Sequence, residues 1–103
     1  MKKYDKLVRD RIPAVIRENG KQCKTRKMKP EEVESYFRSK VQEELDERFE
    51  DPNPEEMADL MEVVDCLRKM LSLSIEEVID VKYNKRAERG SFEKGIILLE
   101  VSD

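Results

Sequence analysis

The sequence predicts a mainly α protein: a helical bundle completed by oligomerisation, with a small two-stranded β element joining about 22–28 to 96–101. Three observations lead there. Apolar residues recur at helical spacing through the middle of the chain, and each such run opens at a recognisable helix-start signal. Only two short stretches, near the ends, read as strand. With 38% hydrophobic and 44% charged residues in a chain of 103, the core of one copy is thin, and a thin core gains from self-association. The length suits a single domain spanning 1–103.

The first eleven residues form an extended or looped entry that carries Lys6, Arg9 and Arg11. Pro13 opens a short helix over about 13–19, with Ile12, Val15 and Ile16 on its apolar side and Gly20 at its C′ position. Residues 21–28, rich in lysine and arginine, read as a weak edge strand. Pro30 starts a second helix over about 30–50. On its wheel Val33, Tyr36, Phe37, Val41, Leu45 and Phe49 form a broad apolar band.

Asp51-Pro52-Asn53-Pro54 stops that helix and starts the next, about 54–71, with Asn53 as N-cap and Pro54 at the first helical position. Met57, Leu60, Met61, Val64, Leu67 and Leu71 make its apolar stripe. Ser74-Ile75-Glu76-Glu77 is a capping box for a fourth helix, about 75–89, whose Ile75, Val78, Ile79 and Tyr83 are expected to face inward. Gly90 closes it, and 96–101 is the second short strand.

Chemistry is concentrated in two acidic motifs. Glu44 and Glu47 in Glu43-Glu44-Leu45-Asp46-Glu47, and Glu56 and Asp59 in Glu56-Met57-Ala58-Asp59, are each three residues apart and so share a helix face. Two helices joined by a short turn pack antiparallel, which can bring these four carboxylates together. Convergent hard oxygen ligands are what Mg2+ needs when it also holds a phosphate. Glu44 falls inside an apolar band, an unusual place for a surface glutamate. Plainer roles exist: Glu44 can pair with Arg48 at i,i+4, and Glu56 can simply cap its helix. Glu62 and Asp65 point away from the motif and read as solvated surface.

The net charge of −3 hides a segregation. Residues 1–29 carry 11 basic and 3 acidic side chains, residues 30–80 carry 5 and 17, and residues 81–103 carry 5 and 4. Cationic flanks around an acidic centre suit a metal–polyphosphate complex, whose two parts need opposite charges. They equally suit a basic segment lying on an acidic one, and the cations ending the fourth helix also complement its dipole. Nucleic-acid binding is disfavoured because no aromatic or glycine-rich recognition pattern accompanies the basic arm. There is no histidine, so acid–base chemistry falls to carboxylates, lysines, tyrosines or metal-bound water, and two distant cysteines make a zinc site a poor reading. No apolar run is long enough to span a membrane, and Met1-Lys2-Lys3-Tyr4-Asp5 lacks a signal-peptide stretch, so a soluble cytoplasmic protein is expected.

Taken in order, Leu7-Val8-Arg9-Asp10-Arg11-Ile12-Pro13, Glu43-Glu44-x-x-Glu47, Glu56-x-x-Asp59 and Arg89-Gly90-Ser91-Phe92-Glu93-Lys94 resemble the MazG-like and phosphoribosyl-ATP pyrophosphohydrolase-like proteins over nearly the whole chain. The resemblance implies an all-α nucleotide pyrophosphohydrolase that cleaves between the α and β phosphates to a monophosphate and pyrophosphate. It implies Mg2+ dependence, with Mn2+ as the alternative ion, and dimers or tetramers built from four-helix bundles. Carried over by residue, it makes Glu44, Glu47, Glu56 and Asp59 the metal ligands, and gives Glu43 an outer role or a part in placing water. Lys6, Arg9, Arg11, Lys85 and Arg89 become candidates for holding substrate phosphates. Two rival readings are a non-catalytic helical interaction module and a nucleic-acid-binding protein using the basic N-terminal segment.

Overall fold

The computed structural model describes residues 2–50 and 52–102; of residues 48–50 only the helical backbone is described. Two readings made from the sequence, the place of Phe49 in the apolar band and a Glu44–Arg48 pair, therefore lie outside the described side chains. The element order is α1 (Ile12–Glu18), a 3₁₀ turn (Pro30–Glu32), α2 (Val33–Glu50), α3 (Pro54–Met70) and α4 (Ile75–Arg89). The chain divides into two compact units, Met1–Leu71 and Ser72–Asp103.

Local chemistry sets the helix boundaries. After α1, Gly20 takes φ +78°, while the Gly20 N–H bonds the Arg17 carbonyl at 3.0 Å and the Lys21 N–H bonds the Ile16 carbonyl at 3.2 Å. This paired closure needs a left-handed residue, which glycine supplies without a Cβ clash. Pro30 begins a single 3₁₀ turn, and Glu32 Oε1 accepts from the Lys29 N–H at 2.9 Å before the chain relaxes into α2. Asn53 Oδ1 accepts from the Glu56 N–H at 2.9 Å, with Pro54 at the first position of α3. Ser74 Oγ accepts from the Glu77 N–H at the start of α4.

In the first unit α2 packs on α3. The N-terminal half of α2, through Phe37 and Val41, shares a groove with Leu67 and Leu71 at the far end of α3, so the two helices run antiparallel. Phe37, 3% exposed, is the buried apolar side chain among the described residues, with Leu45, Leu60, Val63 and Leu67 half-buried around the same interface. This core is as thin as the composition implies. Met57, Met61 and Val64 on α3 remain exposed, so only part of the expected stripe is covered.

The entry segment is laid onto the helices by polar anchors. The Tyr36 hydroxyl donates to Asp5 at 2.5 Å. The Arg26 guanidinium forks onto both oxygens of Glu32, at 2.8 and 2.9 Å, and also donates to Tyr36 Oη at 3.0 Å. Such two-pronged pairing is the strong form of a carboxylate–arginine contact.

The structure corrects two expectations. Neither 22–28 nor 96–101 is a strand, and the described residues contain no sheet. A strand exists only through a ladder, and a lone two-stranded pair is marginal in water. Around 22–28 the backbone is tied by side chains instead: Arg17 donates to the Cys23 carbonyl, and the Cys23 thiol to the Pro13 carbonyl. In the second unit Ile96, Ile97, Leu98, Leu99 and Val101 are 76–86% exposed. The inward facing of α4 also fails, because Ile75, Val78, Ile79 and Tyr83 are all exposed. Its unit holds one helix, and an amphipathic helix buries its stripe only against a second layer.

Candidate functional site

Antiparallel packing of α2 on α3 brings the two acidic motifs together. Glu44, Glu56 and Asp59 each present a carboxylate oxygen, and these oxygens lie within 4.8 Å of one another. Glu44 is 6% exposed. Its Oε1 lies 3.5 Å from the Lys40 ammonium, but its Oε2 is buried with no hydrogen-bond partner, and neither does Glu56 Oε2 have one. A buried carboxylate oxygen without a donor is costly, and this cluster holds two of them.

The electrostatics agree with the geometry. Burial pushes the Glu44 carboxyl above its usual range and the negative charge of Glu47 adds to it, with Lys40 opposing. Burial also raises Glu56, helped by the charge and hydrogen bond of Glu47 and by the charges of Asp59 and Glu44. Glu43 goes the other way: the Lys6 ammonium at 2.9 Å and Lys40 at 3.2 Å hold its carboxyl below the usual range despite some burial. Side by side in sequence, Glu43 is a satisfied anion and Glu44 a strained one.

The residues singled out from the sequence separate in the structure. Glu44, Glu56 and Asp59 converge. Glu47 is exposed beside Glu56, outside that triad. Glu43 faces the two lysines. Of the candidate phosphate-binding residues, Lys6 pairs with Glu43, and Arg9 pairs with Asp59 through Nη2 and Oδ1 at 2.5 Å. Arg11 is exposed at the start of α1, and Lys85 and Arg89 are exposed on α4 in the second unit. The plainer role of Glu56 is only partly met, since its N–H takes the Asn53 cap while its carboxyl faces the triad.

Sequence reasoning missed Lys40. Its side chain is 15% exposed and bridges Glu43 and Glu44. The signal was present, because a lysine three and four residues before two glutamates reaches both on a helix.

The donor set fits a divalent cation. Neighbouring oxygens on Mg2+ lie about 3 Å apart and opposite ones about 4 Å, since each bond is about 2.1 Å. The ion would also supply the positive charge that the unpartnered oxygens of Glu44 and Glu56 lack. Carboxylate oxygens without sulfur or imidazole select hard ions. Comparison of this chain with protein-family models, with curated proteins and with solved structures gives no match.

Proposed function

We propose that this chain is a Mg2+-dependent nucleotide pyrophosphohydrolase, cleaving a nucleoside triphosphate or related nucleotide between the α and β phosphates to monophosphate and pyrophosphate. The observation that carries the reading is the convergence of Glu44, Glu56 and Asp59, with one buried oxygen of Glu44 and one of Glu56 left without a hydrogen-bond partner. The resemblance of the ordered motifs supplies the reaction class.

In this reading Glu44, Glu56 and Asp59 hold the ion. When bound, it neutralises phosphate oxygens and lowers the electrostatic barrier to attack at phosphorus. Glu47, exposed beside Glu56, is available to accept a proton from the attacking water. Glu43 keeps Lys6 and Lys40 in place beside the triad. Arg9, on the segment leading into α1, meets the phosphate oxygens. The exposed apolar side chains Met57, Met61 and Val64 on α3 support self-association into a dimer or tetramer that covers them.

Those apolar faces also favour a second reading, a non-catalytic helical interaction module. Nucleic-acid binding is weaker, because Lys6 and Arg9 of the basic segment are already engaged by Glu43 and Asp59. No helix among the described residues is long and apolar enough to cross a membrane. The test is pyrophosphate release from a panel of nucleoside triphosphates, with and without Mg2+. Metal-dependent release with equimolar monophosphate is expected. Absence of release, together with no divalent-ion binding by the free protein, rules the enzyme out and leaves the interaction module.

A further inference from the structure

We infer that Arg9 is a built-in counter-ion of the acidic triad, one that a divalent cation displaces from Asp59 and thereby turns toward the anionic group arriving with the ion. The inference rests on the cation-site reading proposed above. Arg9 is the only candidate phosphate-binding residue whose contact, among those described, is with a member of the triad. That contact uses one guanidinium nitrogen and one carboxylate oxygen, and both side chains are more than one-third exposed. Single-pronged exposed pairs are weak and readily exchanged.

Arg9 can let go without its segment leaving. Upstream, Lys6 stays on Glu43 and Asp5 accepts from Tyr36, and neither partner belongs to the triad. Downstream, the Arg9 carbonyl accepts from the Ile12 N–H at 3.0 Å, which ties it to the first turn of α1. Three residues span at most about 10 Å of extended chain, so Arg9 stays near the triad while the Lys6–Glu43 and Tyr36–Asp5 contacts hold. A dication among Glu44, Glu56 and Asp59 repels a guanidinium on the same carboxylate. A phosphate oxygen bound beside that ion offers the guanidinium a partner of the right charge and geometry. Arg9 therefore opposes the bare cation and favours the cation–polyphosphate pair, which would make the site selective for the complex over either part.

The test is binding by calorimetry, with Mn2+ alone and then with inorganic pyrophosphate at saturating Mn2+, on the wild-type chain, Arg9→Gln and Arg11→Gln, with helicity checked by circular dichroism. Arg9→Gln is expected to bind Mn2+ about fivefold more tightly and pyrophosphate about tenfold more weakly. Arg11→Gln, the same charge change two residues along, is expected to shift Mn2+ binding less than about twofold. Wild-type Mn2+ binding that Arg9→Gln leaves unchanged or weakens overturns the displacement while leaving the cation site standing. An equal gain in Arg11→Gln also overturns it, since net charge alone then explains the effect. Unchanged pyrophosphate binding in Arg9→Gln overturns the second half. No Mn2+ binding by any of the three proteins removes the cation site itself, and this inference with it. Should Arg9→Gln lose helicity, Arg9→Met replaces it, and a Mn2+ affinity equal to or below wild type then counts against the displacement.

Discussion

The Lys40 ammonium lies 3.5 Å from Glu44 Oε1, while the other oxygen of the same carboxylate is buried without a partner. One residue earlier, Glu43 draws on Lys40 and Lys6 together. The cations near α2 therefore satisfy Glu43 fully and Glu44 by half. That unequal sharing gives the acidic cluster one stable anchor and one open oxygen.

Glu44→Gln is expected to abolish Mg2+-dependent turnover, by at least about 100-fold, with the helical content kept. Asp59→Asn should do the same. Glu62→Gln should be nearly silent, because Glu62 is exposed and its one described hydrogen bond is from the Cys66 thiol. Steady-state rates on the best substrate, beside circular dichroism, decide this. A loss in Glu62→Gln equal to that in Asp59→Asn would show that the wrong face of α3 has been assigned.

Lys40→Met removes the charge that Glu43 and Glu44 share while keeping most of the apolar stem. The expected cost is about 1–3 kcal/mol in urea unfolding, since a largely buried cation leaves two carboxylates short of a donor. Added Mg2+ should restore part of it, because an ion that binds only the folded state stabilises by mass action. Wild-type stability in this variant would mean that Lys40 is a spectator.

The Arg26 fork holds the Glu32 carboxyl at about 2, well below its ordinary value of 4.5, and the Lys29 N–H helps. A carboxyl depressed in the folded state binds fewer protons there than in the unfolded chain. Its stabilisation is therefore complete above about pH 4.5 and lost as pH falls toward 2. Glu32→Gln should melt lower than wild type at pH 6, and the gap should close near pH 2. A gap that stays constant between those pH values contradicts the pairing.

Met61, two-thirds exposed in the middle of α3, lies on the face that self-association is proposed to cover. Met61→Glu is expected to shift the protein toward monomer in sedimentation velocity at micromolar concentration, with helicity unchanged. If the wild type is already monomeric throughout, the proposed assembly falls.

Much of the local architecture could be read before any coordinates. α4 begins and ends where Ser74 and Gly90 mark it, and α3 starts at Pro54 behind the Asn53 cap. These boundaries depend on hydrogen bonds between near neighbours in the chain. The odd position of Glu44 in an apolar band was equally visible, and among the described residues it is the buried acid. The strands at 22–28 and 96–101 misled because β patterning says only that a segment could pair, while pairing needs a second segment at the right distance. Exposure on α4 misled for a related reason: a stripe shows which side is apolar and not whether anything covers it.

By itself the sequence determined four helices, their caps, and which carboxylates share a face, because each follows from bonds and periodicities spanning a few residues. Tertiary structure alone decided that Glu56 and Asp59 meet Glu44 while Glu47 stays at the exposed margin. It also decided that Lys6 reaches Glu43 and Arg9 reaches Asp59, across 37 and 50 residues of chain. Such contacts depend on how α2 and α3 pack and on where the entry segment comes to lie. That choice is made by the whole assembly of burial, charge and chain entropy, and no short window of residues contains it.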